Sequence, residues 1–326
     1  MGWLNKASIE KTPLENMKKR FKKVYIEITN CCNLACTFCP GTVRKQGFMR
    51  VDQFEAVLKK LRGFTDYLYM HVMGEPLLHP DLAQILSLCF QYDYKVNITT
   101  NGTLIKAVAD ELLDAKALRQ INFSLHSQEG MTGQSTLEQY LEDIFCFTQR
   151  ALDKGGIYIS YRLWNLTSQS SGQFNSYVAK KLQERFEPGF SVYEALKSET
   201  RITLGESLYL NSAEVFEWPC ESANGPGNGV SSSSGSSSDG SLESGGTGFC
   251  QGLRDQAAIL VDGTVVPCCL DSDGRMPLGN IFCEDFEAIL QSDRAKAIYD
   301  GFSKRLAVED LCTKCTYKNR FLSKHP

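Results

Sequence analysis

Strand-like and helix-like segments alternate through the first two thirds of the chain, a pattern that limits it to repeated βα units around a parallel sheet. Strands are expected at Val24–Thr29, Tyr67–Val72, Lys95–Thr100, Gln120–Leu125, Gly156–Leu163 and Arg201–Leu210. Between them, Val51–Leu61, Pro80–Phe90, Leu104–Leu113, Leu137–Leu152 and Phe174–Phe186 carry apolar residues at helical spacing. Six units are too few for a closed eight-stranded barrel. In folds of this kind active-site residues sit at the carboxyl ends of the strands, and Cys32, Gly74, Thr100 and Ser127 all fall there.

Directly after the first expected strand comes Cys32-Asn-Leu-Ala-Cys36-Thr-Phe38-Cys39, three cysteines spaced C-x3-C-x2-C. Three thiolates cannot enclose a cubane cluster in the four-cysteine manner, but they can hold three irons and leave the fourth open. An open iron is a place for chemistry, as an open position is on a catalytic zinc. On the residues alone, a zinc site completed from elsewhere and cysteines buried as small hydrophobes remain alternatives. The thirteen cysteines lie in a chain with no export signal, which points to metal binding in the cytoplasm rather than to a disulfide framework.

Net charge is −3, which argues against a nucleic-acid partner held by broad electrostatics. The basic run Lys18–Lys23 reads as a solvated helix face. No segment has the length of a membrane span, and the residues after Met1-Gly2 lack the serine or threonine of a myristoylation signal, so no membrane partner is expected.

Composition shifts after the sixth unit. Glu221 to Gly248 is Gly/Ser-rich, with nine serines among the fourteen residues from Ser231 to Ser244, and reads as a linker or surface insertion. The piece beyond it contains Cys250, a hairpin signal around Asp262-Gly263, Cys268, and a closing Cys312-Thr-Lys-Cys315. Four such cysteines could ligate one metal centre completely and staple a small domain. Zinc and an iron–sulfur cluster both fit that ligand set. The expected organisation is an extension over 1–22, a core over 23–211, a linker over 212–249 and a small cysteine-rich α+β domain over 250–326.

The cysteine loop after the first strand, with Phe38 before its last cysteine, resembles the radical S-adenosylmethionine (radical SAM) superfamily. That resemblance implies an α/β fold with a partial (β/α)6 TIM-like barrel. It also implies a [4Fe–4S] cluster on Cys32, Cys36 and Cys39 whose open iron chelates SAM. Met73-Gly74-Glu75-Pro76 resembles the family's glycine-glycine-glutamate motif, with Met73 in place of the first glycine; Gly74 and Glu75 would bind the amino group of SAM. Thr99-Thr100-Asn101-Gly102 resembles another recurrent segment, where Asn101 either lines the SAM pocket or caps the next helix. Ser124 matches a position contacting the ribose or carboxylate of SAM, and Arg162 could pair with that carboxylate. Cys31, His71, His79 and His126 are read as structural, and Cys89 and Cys146 as core.

Cys250, Gly263, Cys268, Leu278-Gly279-Asn280-Ile281 and the closing C-x2-C resemble the SPASM domain, and more closely its truncated twitch form. The resemblance implies one auxiliary [4Fe–4S] cluster on Cys250, Cys268, Cys312 and Cys315. Cys269 could replace Cys268, and Cys220 or Cys283 could be extra ligands, but all three are read as structural. The implied activity is that of an oxidoreductase. Reductive cleavage of SAM yields a 5′-deoxyadenosyl radical that abstracts a substrate hydrogen atom, and the auxiliary cluster accepts the remaining electron. Only 31 residues precede Cys32, which tilts the expectation from a peptide-modifying maturase toward a small-molecule dehydrogenase. An electron donor such as flavodoxin or ferredoxin is expected. A non-catalytic iron–sulfur or zinc-binding protein is the alternative from another class.

Overall fold

Residues 21–130, 136–164, 169–213, 218–219 and 246–321 are described by the structure, a computed structural model. Cys220 and nearly all of the Gly/Ser-rich run lie outside them. Five parallel strands lie side by side: β1 (Lys23–Ile26), β2 (Tyr67–Tyr69), β3 (Lys95–Thr100), β4 (Leu118–Ser124) and β5 (Tyr158–Trp164). The helices α1 (Val51–Leu61), α2 (Leu82–Gln91), α3 (Ile105–Asp114) and α4 (Leu137–Lys154) connect them. After β5 come α5 (Gln169–Phe186) and α6 (Val192–Ser198).

The side-chain period of two divides each strand between a helix-facing and an interior face. In β4, Ile121 and Phe123 are fully buried, and the Phe123 ring meets Phe147 of α4 edge-on at 6.0 Å. The intervening Asn122 turns inward, where its Nδ2 donates to the Ile98 carbonyl. Glu27, Asn97 and Ser160 are likewise buried and polar. The partial barrel is therefore apolar outside, under its helices, and polar inside. Helix α4 shows why such segments hold. Thr136 caps its N-terminus by accepting from the Gln139 N–H, and Gly155 ends it at φ 73°. Between these caps its buried stripe includes Tyr140, Ile144, Phe147 and Ala151. Each large side chain fully buried there contributes about 1.5–3 kcal/mol.

The sixth expected strand is a hairpin. Arg201–Leu210 divides into β6 (Arg201–Gly205) and β7 (Leu208–Ala213), which pair antiparallel, and β7 pairs parallel with β5. The break falls at Glu206-Ser207, where Ser207 adopts φ 59°.

The cysteine-rich piece adds β8 (Gln256–Ile259), β9 (Thr264–Val266) and β10 (Gly279–Asn280), then α7 (Phe286–Leu290), α8 (Asp293–Ser303) and α9 (Asp310–Lys314). The Asp262-Gly263 turn joins β8 to β9 as the sequence predicts. At φ 85°, with a Cβ there 2.5 Å from the Phe282 ring, position 263 accepts only glycine. Strand β8 pairs parallel with β1, Lys23 opposite Gln256 through Ile26 opposite Ile259. The result is one ten-stranded sheet in the order β10-β9-β8-β1-β2-β3-β4-β5-β7-β6. It is open: β10 and β6 are its edges. Among the described residues no helix is long and apolar enough to cross a membrane.

Candidate active site

The chain leaves β1 into the cysteine loop, and polar residues before the cysteines hold the loop's two arms together. The Thr29 hydroxyl donates to the Gly47 carbonyl, and Asn30 bonds the Lys45 carbonyl and the Gly47 N–H. Cys31 is engaged by its backbone, its N–H on the Thr29 hydroxyl and its carbonyl accepting from the Glu75 N–H at 2.8 Å. Cys32 and Cys39 are exposed and Cys36 is half-buried. The Cys36 sulfur lies 3.8 Å from the Ser127 carbonyl, and the Cys32 thiol faces Glu75, Cys39 and the Asn101 side chain. Partial burial pushes the Cys32 thiol up, so it sheds its proton only on binding a metal.

Gly74 and Glu75 follow β2. At φ 78°, Gly74 presses against the start of the cysteine loop: a Cβ there would lie 2.5 Å from the Thr29 carbonyl oxygen. That contact brings Glu75 under the thiols. Its buried carboxylate accepts from the Leu77 N–H, the Thr100 hydroxyl and the Asn101 N–H at 3.0, 2.7 and 2.7 Å. Burial outweighs those bonds and pushes the carboxyl up to about 7. The Glu75 carboxyl is therefore about half protonated at neutral pH in the absence of ligand. SAM binding is expected to weaken as the pH falls below about 7, by at most about tenfold per unit, because the proton competes with the ligand. Equilibrium dialysis of SAM between pH 6 and 8 measures this, and Glu75→Gln should flatten the profile. The same shift means that Glu75 favours the ligand-free fold at low pH, a contribution lost as the pH rises through about 7.

Asn101 does not cap α3, whose N-cap is Leu104 with no side-chain cap bond, but braces the turn before it. Its Oδ1 accepts from the Thr103 N–H and hydroxyl in that turn, while its Nδ2 donates to Asn33 inside the cysteine loop. The Tyr140 hydroxyl of α4 donates to the Asn101 carbonyl at 2.7 Å. Ser124 and Arg162 are register partners on β4 and β5. The Phe38 ring meets His126 edge-on at 4.8 Å, and the Phe38 carbonyl accepts from the Trp218 indole at 3.0 Å. His126 also bonds the Arg162 carbonyl, and burial pushes its pKa down to about 4.

A cavity of about 240 Å³ lies where the barrel interior meets the cysteine-rich segment. Tyr25, His71 and Arg162 line it from the barrel, and Cys250, Cys268, Cys269, Cys312 and Cys315 from the other side. Burial raises all five thiols, Cys312 to about 12, so each would release a proton to ligate a metal. The neighbouring cysteines 268 and 269 have different surroundings. Cys268 faces Cys250 and Cys312, whereas the Cys269 sulfur is hydrogen-bonded to the Tyr25 hydroxyl beside Lys23 and Arg162. Opposite the sulfurs, His71 is held neutral by burial, with its pKa near 3, and its Nδ1 is buried without a partner.

Two family models match the chain in this arrangement: the radical SAM superfamily over residues 26–144 and the SPASM iron–sulfur cluster-binding domain over residues 250–316. The chain carries a radical SAM domain and a SPASM domain. These two domains imply a SAM-binding [4Fe–4S] cluster, SAM and auxiliary iron–sulfur clusters. A probable GTP 3′,8-cyclase from Sulfolobus acidocaldarius is 32% identical over 134 residues, 39% of this chain and 42% of that one. The chain thus spans less than half the length of such curated relatives. Among solved structures, BtrN in complex with AdoMet and 2-DOIA superposes with a TM-score of 0.54 at 17% identity, covering 92% of this chain and 94% of that one. Streptococcus suis SuiB bound to precursor peptide SuiA gives 0.58 at 18% identity, covering 95% and 75%. At these identities the two structures establish the shared partial-barrel fold.

Sequence reasoning did not single out Glu27, Arg44, Asn33 or Tyr140. Glu27 had a legible signal, an acid in an apolar strand, whereas the partners of Asn33 and Tyr140 emerge only from the tertiary fold. Cys146, expected in the core, is exposed on α4, with its sulfur 3.2 Å from Glu142. Cys89 is buried, and burial raises its thiol strongly.

Proposed function

We propose that this radical SAM enzyme is an oxidoreductase acting on a small molecule, and that substrate binds in the cavity shared by the barrel interior and the C-terminal cysteines. Cys32, Cys36 and Cys39 would hold the SAM-binding cluster. Cys250, Cys268, Cys312 and Cys315 would hold one auxiliary [4Fe–4S] cluster. The observation that carries the reading is that Arg162 and His71, from the barrel, line the same cavity as these four thiols. A cluster on Cys32, Cys36 and Cys39 would supply the electron for reductive SAM cleavage and hydrogen-atom abstraction, and a cluster on Cys250, Cys268, Cys312 and Cys315 would supply an acceptor for the second electron, with the accompanying proton released to water.

The chain's own residues bind, orient and exclude water. Glu75 complements the SAM ammonium, with Gly74 setting its depth. Asn101, Ser124 and Phe38 line the space around the loop, and Arg162 offers a fork to the SAM carboxylate from the strand beside Ser124. His71 presents a neutral hydrogen-bonding nitrogen to the substrate. The exposed arc at Cys32 and Cys39 is the side from which a flavodoxin or ferredoxin would deliver an electron.

The cavity's modest volume of about 240 Å³ supports a small substrate over a peptide. BtrN, crystallised with AdoMet and 2-DOIA, matches this chain over nearly its whole length, while SuiB, crystallised with a precursor peptide, keeps peptide modification as the second reading. The test uses anaerobically reconstituted protein with dithionite, SAM and a panel of polyols, nucleotides and peptides. The expected result is one 5′-deoxyadenosine per small-molecule product lacking two hydrogens. Cys312→Ala/Cys315→Ala should retain SAM cleavage and lose that product. Oxidation that survives this substitution, or turnover of peptides alone, overturns the reading.

A further inference from the structure

Glu27 follows β1 and is fully buried, and its carboxylate gathers donors from three separate parts of the chain. Oε1 accepts from Arg44 Nη2 at 2.6 Å and from the Met73 N–H at 3.1 Å. Oε2 accepts from the same Nη2 at 2.7 Å and from the Val261 N–H at 3.0 Å. Arg44 also donates through Nε to the Ser272 carbonyl at 2.8 Å. Its neighbours Thr42 and Val43 donate to Asp273 through a hydroxyl at 2.8 Å and an N–H at 3.2 Å.

Each partner has a telling place in the chain. Met73 immediately precedes Gly74 and Glu75. Arg44 lies on the return arm of the cysteine loop. Val261 opens the turn that leads through β9 to Cys268, and Ser272 lies just beyond Cys269. We propose that the Glu27–Arg44 ion pair is a positioning device that docks the cysteine-rich hairpin at one fixed place against the SAM-binding loop. Its catalytic meaning, a constant spacing between two clusters, rests on the proposed function above.

A buried ion pair is weak evidence of a stabilising role, because well-packed apolar residues of similar volume often serve as well or better. An apolar pair cannot supply directed bonds to Met73, Val261 and Ser272. Those bonds explain why a charge pair stands here, among segments that meet only in the tertiary fold. Neither residue touches the cavity described above, so the pair would act through the segments it holds.

Two variants and two readouts test this. Glu27→Gln preserves shape but places an amide NH2 among donors. Glu27→Leu/Arg44→Met fills the space without charge and guards against a simple failure to fold. In the metal-free full chain, both variants should speed amide exchange at Met73 and Val261 by about tenfold or more, with Ile98 and Ile121 in the barrel strands unchanged. In the reconstituted protein, iron content should match wild type, while the dipolar coupling between the two reduced clusters broadens in electron paramagnetic resonance. Wild-type exchange at both amides in either variant overturns the positioning role. So does outright loss of a cluster, which would assign the pair to cluster binding. If wild type itself shows only one cluster, the auxiliary-cluster reading fails, and the exchange measurement still decides whether the pair docks the hairpin.

Discussion

Alanine at Cys32, Cys36 and Cys39 together should lower the iron of anaerobically reconstituted protein from about eight atoms per chain to about four, and abolish reductive SAM cleavage. The loss is total because the three thiols share one loop, and Cys31, held by its backbone to Thr29 and Glu75, is one thiol and cannot replace three. The fold should survive. Two of the three side chains are exposed and the third is half-buried, so the ligand-free variant should lie within about 0.5 kcal/mol of wild type per position. Iron and sulfide analysis beside thermal unfolding of the metal-free chains separates the two effects. Retention of eight irons would remove the loop from cluster binding. A fall to no iron would remove the C-terminal cysteines instead, and with them the electron acceptor.

Gly74→Ala should disable the SAM site almost as completely with every cysteine in place. A Cβ at this position meets the Thr29 carbonyl oxygen at 2.5 Å and Asn30 backbone carbons at 2.8 Å. These are backbone atoms tied into the cysteine loop, so they cannot swing aside as a side chain would. Left-handed strain adds about 1–3 kcal/mol to the cost of the contact. Relief requires the Met73–Glu75 segment to withdraw, which breaks the Glu75 N–H bond to Cys31 and moves the carboxylate from beneath the thiols. A loss of about 3 kcal/mol in binding is about a hundredfold in SAM affinity. Gly41→Ala is the control. Gly41 shares a left-handed φ of 65° but has nothing within 4 Å of its missing Cβ, so it should suffer strain without displacement. Equal losses of SAM binding in both variants would show that close approach at Gly74 is not what matters.

Much of the site was legible because local chemistry encodes it. The C-x3-C-x2-C spacing, a glycine followed by an acid after a strand, and Asp-Gly between β-branched runs each announce a backbone geometry or ligand set within a few residues. The single strand expected at Arg201–Leu210 failed for a related reason. Gly205-Glu206-Ser207 carries a turn, but a run of β-forming residues on both sides hides it. Cys146 stands next to buried positions on α4, and a shift of one residue in helical phase exposes it. Glu27 stood out as an acid in an apolar strand, but what it and Arg44 hold in place was beyond sequence reasoning in a different sense. Their partners Met73, Val261 and Ser272 contribute backbone atoms, which no residue type can advertise. Nor did anything local mark β8 as a neighbour of β1, since both strands read as ordinary apolar runs.

That last pairing bears on the order in which the molecule can be completed. Beside it, Lys22 reaches Asp255, 233 residues further along the chain. On the ribosome, β1 and its cysteine loop emerge well before β8, find β2 early, and then wait with one row of N–H and C=O groups unpaired until the intervening residues have been made. Closing so long a loop comes late and slowly. The strand that leads into the cysteine loop is thus synthesised long before it is enclosed, and the cysteine-rich segment shields its open edge as well as presenting thiols to the cavity.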